Sequence, residues 1–380
     1  MRSDILAHID TDRLRHNVAA LRACCADGVK FCAPLKADAY GHGVAVVAPV
    51  LMHLGVECAA VATMKEAVEL RQLGWQAEIL VLGNVLAVED AHERAQRLTA
   101  ARELRLTLTI VDDAGLQAIR THASSGPISI QLKIDSGMGR MGVLQDEAAA
   151  LAKQILDCNI VRLTGVYSHF ATADLQLREL ADQQLATFRN LRKQLKPLVS
   201  DDCAFHLANS AATITMPDAH FDMIRPGLAM YGYAGADDWR SIADLRPILR
   251  LTSHITLIKE LPANHCVGYG QTFTTQRRTR LGIVPVGYFD GFARALSNNA
   301  TIQTAAGPAP VIGRISMDQL AVDLTDLDGC RLGSEVTLIS DDPASEQSVE
   351  SLARRLDTIP YEITCRLGPR IDKIAHGSTQ

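Results

Sequence analysis

The sequence predicts an α/β protein: an N-terminal (β/α)8 TIM-like barrel followed by a mainly β C-terminal domain. Three observations predict it. Short apolar runs recur eight times between Phe31 and Tyr231, with helix-spaced segments between them. Alternation of this kind, with apolar strands, indicates a parallel sheet whose outer face is covered by helices. Composition then shifts around Ala234–Asp244, where Gly235, Ala236, Asp237 and Asp238 read as a connector, and the strands beyond it are shorter and alternate.

In chain order, His8-Ile9-Asp10 reads as a short strand, and Leu14, Asn17, Val18 and Leu21 as the buried stripe of an amphipathic helix. The eight barrel strands are expected at Phe31–Leu35, Cys58–Ala62, Ile79–Leu82, Leu104–Val111, Ile128–Ile134, Leu163–Ser168, Phe205–Ala208 and Met223–Tyr231. Helical spacing between them is clearest at Met64, Val68 and Leu70, and at Ala148, Leu151 and Ile155. Eight such units fit a closed barrel. A doubly wound sheet is the alternative, but no Gly-rich phosphate fingerprint follows the first strand. After the connector, strands are expected at Leu251–Leu257, Leu281–Val286, Thr301–Thr304, Val311–Ile315, Leu320–Leu324 and Glu335–Ile339, with a helix at Ser348–Leu356. The division is therefore 1–238 and 239–380, with Met1–Ile9 as a segment that could join the second domain. The last residues, Gly377–Gln380, are expected to fray.

The net charge of −5, with both signs scattered, leaves no basic block for nucleic acid or a membrane surface. No apolar run approaches a membrane span. The N-terminus, Met1-Arg2-Ser3-Asp4-Ile5, lacks a secretory signal's apolar segment, so a cytoplasmic location is expected. Nine dispersed cysteines without a C-x-x-C favour reduced thiols over a disulfide framework or a zinc site; no metal is expected.

Reactive groups in a barrel sit at the C-terminal ends of its strands, and several candidates fall there. Lys36 and Tyr40 follow the first strand within Pro34-Leu35-Lys36-Ala37-Asp38-Ala39-Tyr40-Gly41-His42-Gly43. A lysine desolvated at such a strand end can lose its proton near neutral pH and attack a carbonyl. Lys133, in Lys133-Ile134-Asp135-Ser136-Gly137-Met138-Gly139-Arg140-Met141-Gly142, follows the fifth strand; Ser168-His169-Phe170 ends the sixth; His206-Leu207-Ala208-Asn209-Ser210-Ala211 ends the seventh; Arg225-Pro226-Gly227-Leu228 lies in the eighth. Each has a plain alternative. Lys36 could be a surface lysine, His169 a core histidine bonded to backbone, Arg225 half of an ion pair, and Ser210 a helix N-cap.

Together, in this order, these motifs resemble those of the alanine racemase family. The second domain extends the resemblance. Gly268-Tyr269-Gly270-Gln271-Thr272 is similar to the family's S-Y-G-x-T, with Gly268 where serine is common. Gly287-Tyr288-Phe289-Asp290-Gly291, Gly313-Arg314-Ile315-Ser316-Met317-Asp318-Gln319 and Tyr361-Glu362-Ile363 match further family segments, so nearly the whole chain is covered.

The resemblance implies a pyridoxal 5'-phosphate (PLP) enzyme that interconverts L- and D-alanine, for peptidoglycan or for alanine catabolism. Lys36 would bind PLP covalently. Tyr40, Ser210 and Tyr361, with the backbone around Gly227 and Leu228, would hold the phosphate. Arg225 would face the pyridine nitrogen with His169 behind it. Arginine does not readily give up a proton, so that nitrogen would stay unprotonated and the cofactor would be a weaker electron sink. Lys36 and Tyr269 would be the acid/base pair on opposite faces of the α-carbon. Arg140 and Met317 would contact the substrate carboxylate, and Lys133 could be carbamylated by carbon dioxide to orient Arg140. Tyr269 and Met317 would come from the other subunit of a homodimer with shared sites. The competing readings are a broader-specificity amino-acid racemase, a PLP-dependent decarboxylase, which would carry an acidic partner in place of Arg225, and a single-barrel PLP carrier, which would lack the second domain.

Overall fold

The computed structural model describes residues 3–122, 126–175, 178–236 and 239–377. Asp237 and Asp238 of the expected connector, and Ser378–Gln380 of the expected frayed end, lie outside them. The chain begins with β1 (Leu6–Asp10) and the helix Thr11–Ala23, capped by the Asp10 carboxylate on the Arg13 N–H. Barrel strands follow: β2 (Lys30–Pro34), β3 (Cys58–Val61), β4 (Glu78–Val81), β5 (Thr107–Ile110) and β6 (Ile128–Asp135), with short β7 (Val143–Leu144) beside β6, then β8 (Val161–Tyr167), β9 (Ala204–His206) and β10 (Met223–Ile224). All are parallel, in the order β10-β2-β3-β4-β5-β6-β8-β9. Backbone bonds Asp222 N–H to Phe205 O (2.9 Å) and Arg225 N–H to Ala208 O (2.9 Å) link the two ends, so the barrel is nearly closed.

The strands form where both faces are covered. Every residue of β3 and of β5 is buried. The outward residues of β6 (Ile128, Ile130, Leu132, Ile134) join the main core against the helices, while Cys32, Cys58, Ala60, Leu80 and Met223 form a separate apolar cluster inside the barrel. Helix starts are set locally. Thr63 and Glu66 make a reciprocal capping box at Met64–Gln72, and Asp112 caps Asp113–Thr121; such caps contribute about 1 kcal/mol each.

The second domain is mainly β. Its strands are β11 (Leu249–His254), β12 (Leu257–Leu261), β13 (Cys266–Val267), β14 (Phe273–Thr274), β15 (Thr279–Val284), β16 (Thr301–Thr304), β17 (Gly307–Pro310), β18 (Leu320–Asp323), β19 (Glu335–Ile339) and β20 (Asp372–His376). They form a six-stranded sheet (β17-β16-β19-β11-β1-β20), a three-stranded sheet (β12-β15-β18) and the hairpin β13-β14. The first strand thus pairs with the C-terminal sheet, antiparallel to β11 and parallel to β20.

Several element boundaries differ from the sequence reading. The eighth strand shrinks to Met223–Ile224, because Pro226 has no N–H for a ladder and Leu228–Tyr231 curls into a 3-10 turn. Leu104–Leu106 is not strand: Leu104 caps the preceding helix and Arg105 sits at φ +50°. Leu251–Leu257 is two strands, since Ile255 donates to Ser334 O and Thr256 to Ile283 O in another sheet. Val311–Ile315 makes only a single bridge, Val311 to Val322, before Gly313 turns at φ +75°. All nine cysteines are free. Among the described residues no helix is long and apolar enough to cross a membrane.

Candidate active site

Strand β2 delivers the chain to Lys36, and an unusual turn follows. Ala37, Asp38, Ala39 and Tyr40 all adopt left-handed backbone angles, φ +53° to +56°. Each such non-glycine residue costs roughly 1–2 kcal/mol, so the turn must be held from outside. The Glu66 carboxylate accepts the Ala37 N–H (2.8 Å), and Asp38 accepts the Val44 N–H (2.7 Å) and pairs with Lys373 of β20. His42 Nδ1 bonds Ala39 O (2.9 Å), Nε2 meets the Tyr233 hydroxyl (3.1 Å), and the ring stacks on Tyr231. Burial pushes His42 down to about 4, so its neutral ring donates from Nδ1. Gly41 is required here: a Cβ would stand 1.9 Å from Thr364 O.

Above this turn the mouth of the barrel is cationic. Burial, then Arg140 and Arg225, lower the Lys36 amine below its ordinary value. Burial, then the same two arginines, push Lys133 down to about 7. Among the described residues Lys36, Lys133, Arg140 and Arg225 form no salt bridge; the charges of Glu66 and Asp135 act on Lys36 and Lys133 but are outweighed by burial and the arginines. Tyr167 lies between two of these cations, its ring centroid 4.8 Å from Lys133 Nζ and 5.3 Å from Arg225 Cζ. Its hydroxyl bonds Thr109 Oγ1 at 2.8 Å, and burial raises the phenol to about 12, which keeps it protonated.

Arg225 is buried and held by neutral acceptors. Nη1 contacts His206 Nδ1 at 2.5 Å; Nη2 contacts Ser168 O (2.8 Å), His169 Nδ1 (3.3 Å) and Leu207 O (3.4 Å). Its Nε has no protein acceptor among the described residues. His169 is thus a partner of Arg225, as expected, but His206 is nearer. Burial, with Arg225 second, holds both histidines well below the ordinary imidazole value.

Next to Lys36, the Tyr40 hydroxyl sits on the backbone of Gly227, where a Cβ would come within 2.6 Å of it. Ser210 is not the N-cap of its helix. Asn209 caps it, and Ser210 Oγ accepts the Ala229 N–H at 3.1 Å. The N–H groups of Gly227 and Leu228 have no protein acceptor among the described residues. Tyr361, on the helix Pro360–Cys365, stands with its ring 5.6 Å from that of Tyr40. Three hydroxyls and two free N–H groups beside a lysine suit a phosphate, and the unmet Arg225 Nε–H suits a neutral ring nitrogen. The residues present therefore fit PLP. Arg140 is placed by its loop: burial alone would raise the Asp135 carboxyl, but four N–H bonds, from Gly137 to Arg140, lower it and fix the turn.

Two expected residues stand apart within one chain. Tyr269, between β13 and β14, is 71% exposed and Met317 is 51% exposed. No hydrogen bond or electrostatic contact joins either to the Lys36 cluster among the described residues. Tyr288 and Phe289, also exposed, bond through their N–H groups to Ser316 O and Met317 O.

The sequence reading assigned no role to Glu66, His42, His206 or Gln131. One signal was available for Gln131. Ser129, Gln131 and Lys133 alternate with isoleucine and leucine along β6, which is polar on the inward side rather than uniformly apolar.

Comparison with known proteins agrees with this layout. Residues 9–235 match the alanine racemase N-terminal domain family and residues 248–375 the alanine racemase C-terminal domain family. Alanine racemase 2 of Caldanaerobacter subterraneus subsp. tengcongensis is 34% identical over 369 residues, 96% of this chain and 93% of its own. The alanine racemase of Streptomyces lavendulae superposes with a TM-score of 0.89 at 34% identity, covering 100% of this chain and 98% of that one. The Bacillus anthracis alanine racemase with bound L-Ala-P gives 0.89 at 30% identity, covering 100% and 97%.

Proposed function

We propose, from the premise that this chain belongs to the alanine racemase family of PLP-dependent amino-acid racemases, that it interconverts L- and D-alanine. One observation carries the reading: Lys36, Lys133, Arg140 and Arg225 gather at the barrel mouth, where burial and the mutual repulsion of these cations outweigh the nearby Glu66 and Asp135 carboxylates. Such a site is built for anions, here a phosphate and a substrate carboxylate.

Lys36, Tyr40, Ser210, Tyr361 and the N–H groups of Gly227 and Leu228 would hold PLP, with Arg225 Nε toward its ring nitrogen and His169 behind that arginine. When bound, PLP would supply the electron-withdrawing system that acidifies the substrate α-proton. Arg140, with the Met317 backbone, would hold the carboxylate and fix which faces of the α-carbon are presented. The Lys36 amine, whose proton affinity is lowered by burial and then by the arginines, takes or returns the proton on one face. Tyr269 serves the other. A phenol ordinarily titrates near 10, so Tyr269 needs a cationic setting, which a barrel mouth of a second copy offers. The exposed Tyr269, Tyr288, Phe289 and Met317 then become the contact face of a homodimer whose two sites each draw on both chains.

Lys133 has a separate part. As a neutral amine it can attack carbon dioxide, forming an N–C bond and releasing one proton. The resulting carbamate would be the missing anion beside Arg140.

Purified, PLP-loaded protein with L-alanine in deuterated water tests the assignment by proton NMR alongside a chiral assay. Loss of the α-proton signal with appearance of D-alanine is the expected result. Exchange without D-alanine removes Tyr269 from its role. No exchange with PLP bound overturns the alanine reading and leads to trials of other amino acids.

A further inference from the structure

Behind Arg225 a line of hydrogen bonds crosses the inside of the barrel to its opposite end. Arg225 Nη1 meets His206 Nδ1 at 2.5 Å; His206 Nε2 meets Gln131 Oε1 at 2.8 Å; Gln131 Nε2 donates to Glu78 Oε1 at 3.1 Å. Glu78 opens β4, at the N-terminal mouth, whereas Arg225 lies at the catalytic one. Gln131 and His206 are fully buried. The line is built in rather than incidental. Gly165, the neighbour of Gln131 on β8, leaves the space: a Cβ there would stand 2.8 Å from Gln131 Cδ. The β6–β8 register also shifts between Ile130 and Gln131, and the Tyr167 ring stacks on His206 at 5.0 Å and 6°.

Each member has its donor sense dictated by the next. An arginine only donates and a carboxylate only accepts. Glu78 therefore turns the Gln131 NH2 toward itself and the Gln131 oxygen toward His206. His206 must then carry its proton on Nε2 and present a lone pair at Nδ1, the arrangement that Arg225 needs from the other side. Reversing the sense at Glu78 would ask His206 to accept at both nitrogens, which a neutral imidazole cannot do. We propose that Gln131 and Glu78 are positioning residues: they fix the His206 tautomer and through it the orientation of the Arg225 guanidinium.

The kinetic half of this inference rests on the reading of Arg225 as the partner of the PLP ring nitrogen; the tautomer half does not. The test combines 15N NMR of histidine-labelled, PLP-loaded protein with steady-state kinetics and the visible spectrum of the bound cofactor. Wild type is expected to show His206 with Nε2 protonated and Nδ1 bare across about pH 6–9, where a free histidine would titrate. Gln131→Leu is expected to shift both His206 resonances, move the cofactor spectrum, and lower kcat about 10–100-fold with KM within about threefold, the scale on which loss of an orienting partner acts elsewhere. Glu78→Gln can present either its oxygen or its NH2, so the donor sense is no longer dictated, and it is expected to fall between wild type and Gln131→Leu in kcat. Glu78→Lys reverses the donor sense and is expected to match Gln131→Leu, and Glu78→Lys with Gln131→Glu restores an acceptor for His206 and is expected to recover most of the loss.

Unchanged His206 resonances and kcat in Gln131→Leu would overturn the proposal, as would failure of the double variant to recover. Should Gln131→Leu not fold, the Glu78→Lys single and double variants decide. Wild type with the expected tautomer but no action on alanine would sink the alanine reading and leave the line standing.

Discussion

Glu66 is two side chains in one. Its Oε1 accepts the Ala37 N–H at 2.8 Å, next to Lys36, while Oε2 accepts Ala62 N–H (2.7 Å) and Thr63 N–H (3.0 Å) at the start of its own helix. A hydrogen bond to a charged group contributes about 1.5–3 kcal/mol. Ala37 and Thr63 are exposed enough for water to replace part of that. Glu66→Ala should therefore cost about 2–4 kcal/mol in denaturant unfolding. Glu66→Gln should cost about 1–2 kcal/mol, because its oxygen serves one side and its NH2 opposes an N–H on the other. The loss has a second consequence. The turn from Ala37 to Tyr40 stores roughly 1–2 kcal/mol of strain per residue, and the Ala37 contact is one of few restraining it. Releasing about 2 kcal/mol there corresponds to about a 30-fold weaker hold on PLP. Cofactor titration by absorbance on the two variants measures this directly. A Glu66→Ala protein that is less stable but binds PLP within twofold of wild type would show that Glu66 only caps a helix, and the link to Lys36 would be wrong.

Other outcomes are accessible to standard assays. Lys36→Ala should lose the visible absorbance of covalently held cofactor and nearly all activity; a normally active variant removes Lys36 from its role. Tyr269→Phe should slow α-proton removal from one alanine enantiomer far more than from the other, read by deuterium exchange in each direction, and equal small losses would make Tyr269 a packing residue. For Lys133, a base pushed down to about 7 by burial, Arg225 and Arg140, the neutral amine grows as pH rises through that value. A carbamate signal from 13C-labelled bicarbonate should therefore strengthen above about pH 7, weaken below it, and vanish in Lys133→Ala; a signal independent of pH or of Lys133 would refute the assignment.

Much of the site was legible because its chemistry is local. Lys36, Tyr40, Arg140, His169, Ser210 and Arg225 sit in short motifs at strand ends, and a barrel brings such ends to one face whatever the lengths of the loops. The structure does bring them together. What the motifs could not carry is the support between them. Glu66 lies 29 residues from Ala37 in the chain, and Gln131 lies 75 from His206. The Gln131–His206 contact depends on strand register, which a one-residue slip would abolish, and the Glu66–Ala37 contact on a helix start meeting the turn after a neighbouring strand. The same holds for Ser210. A serine before a helix reads as a cap, but the asparagine beside it won that position and freed the hydroxyl for Ala229.

The sequence by itself determined the two-part architecture and the chemical inventory, since apolar periodicity selects strands and helices and residue type limits what each side chain can donate, accept or carry. Tertiary structure alone decided three things. It set β1 into the second domain's sheet, because pairing on both sides, with β11 and with β20, outweighs proximity along the chain. It forced Ala37–Tyr40 into a backbone conformation that their own propensities oppose, through contacts with Glu66, His42 and Lys373. And it lowered the proton affinities of Lys36 and Lys133, because burial and converging arginines, not sequence neighbours, set the free energy of a charge.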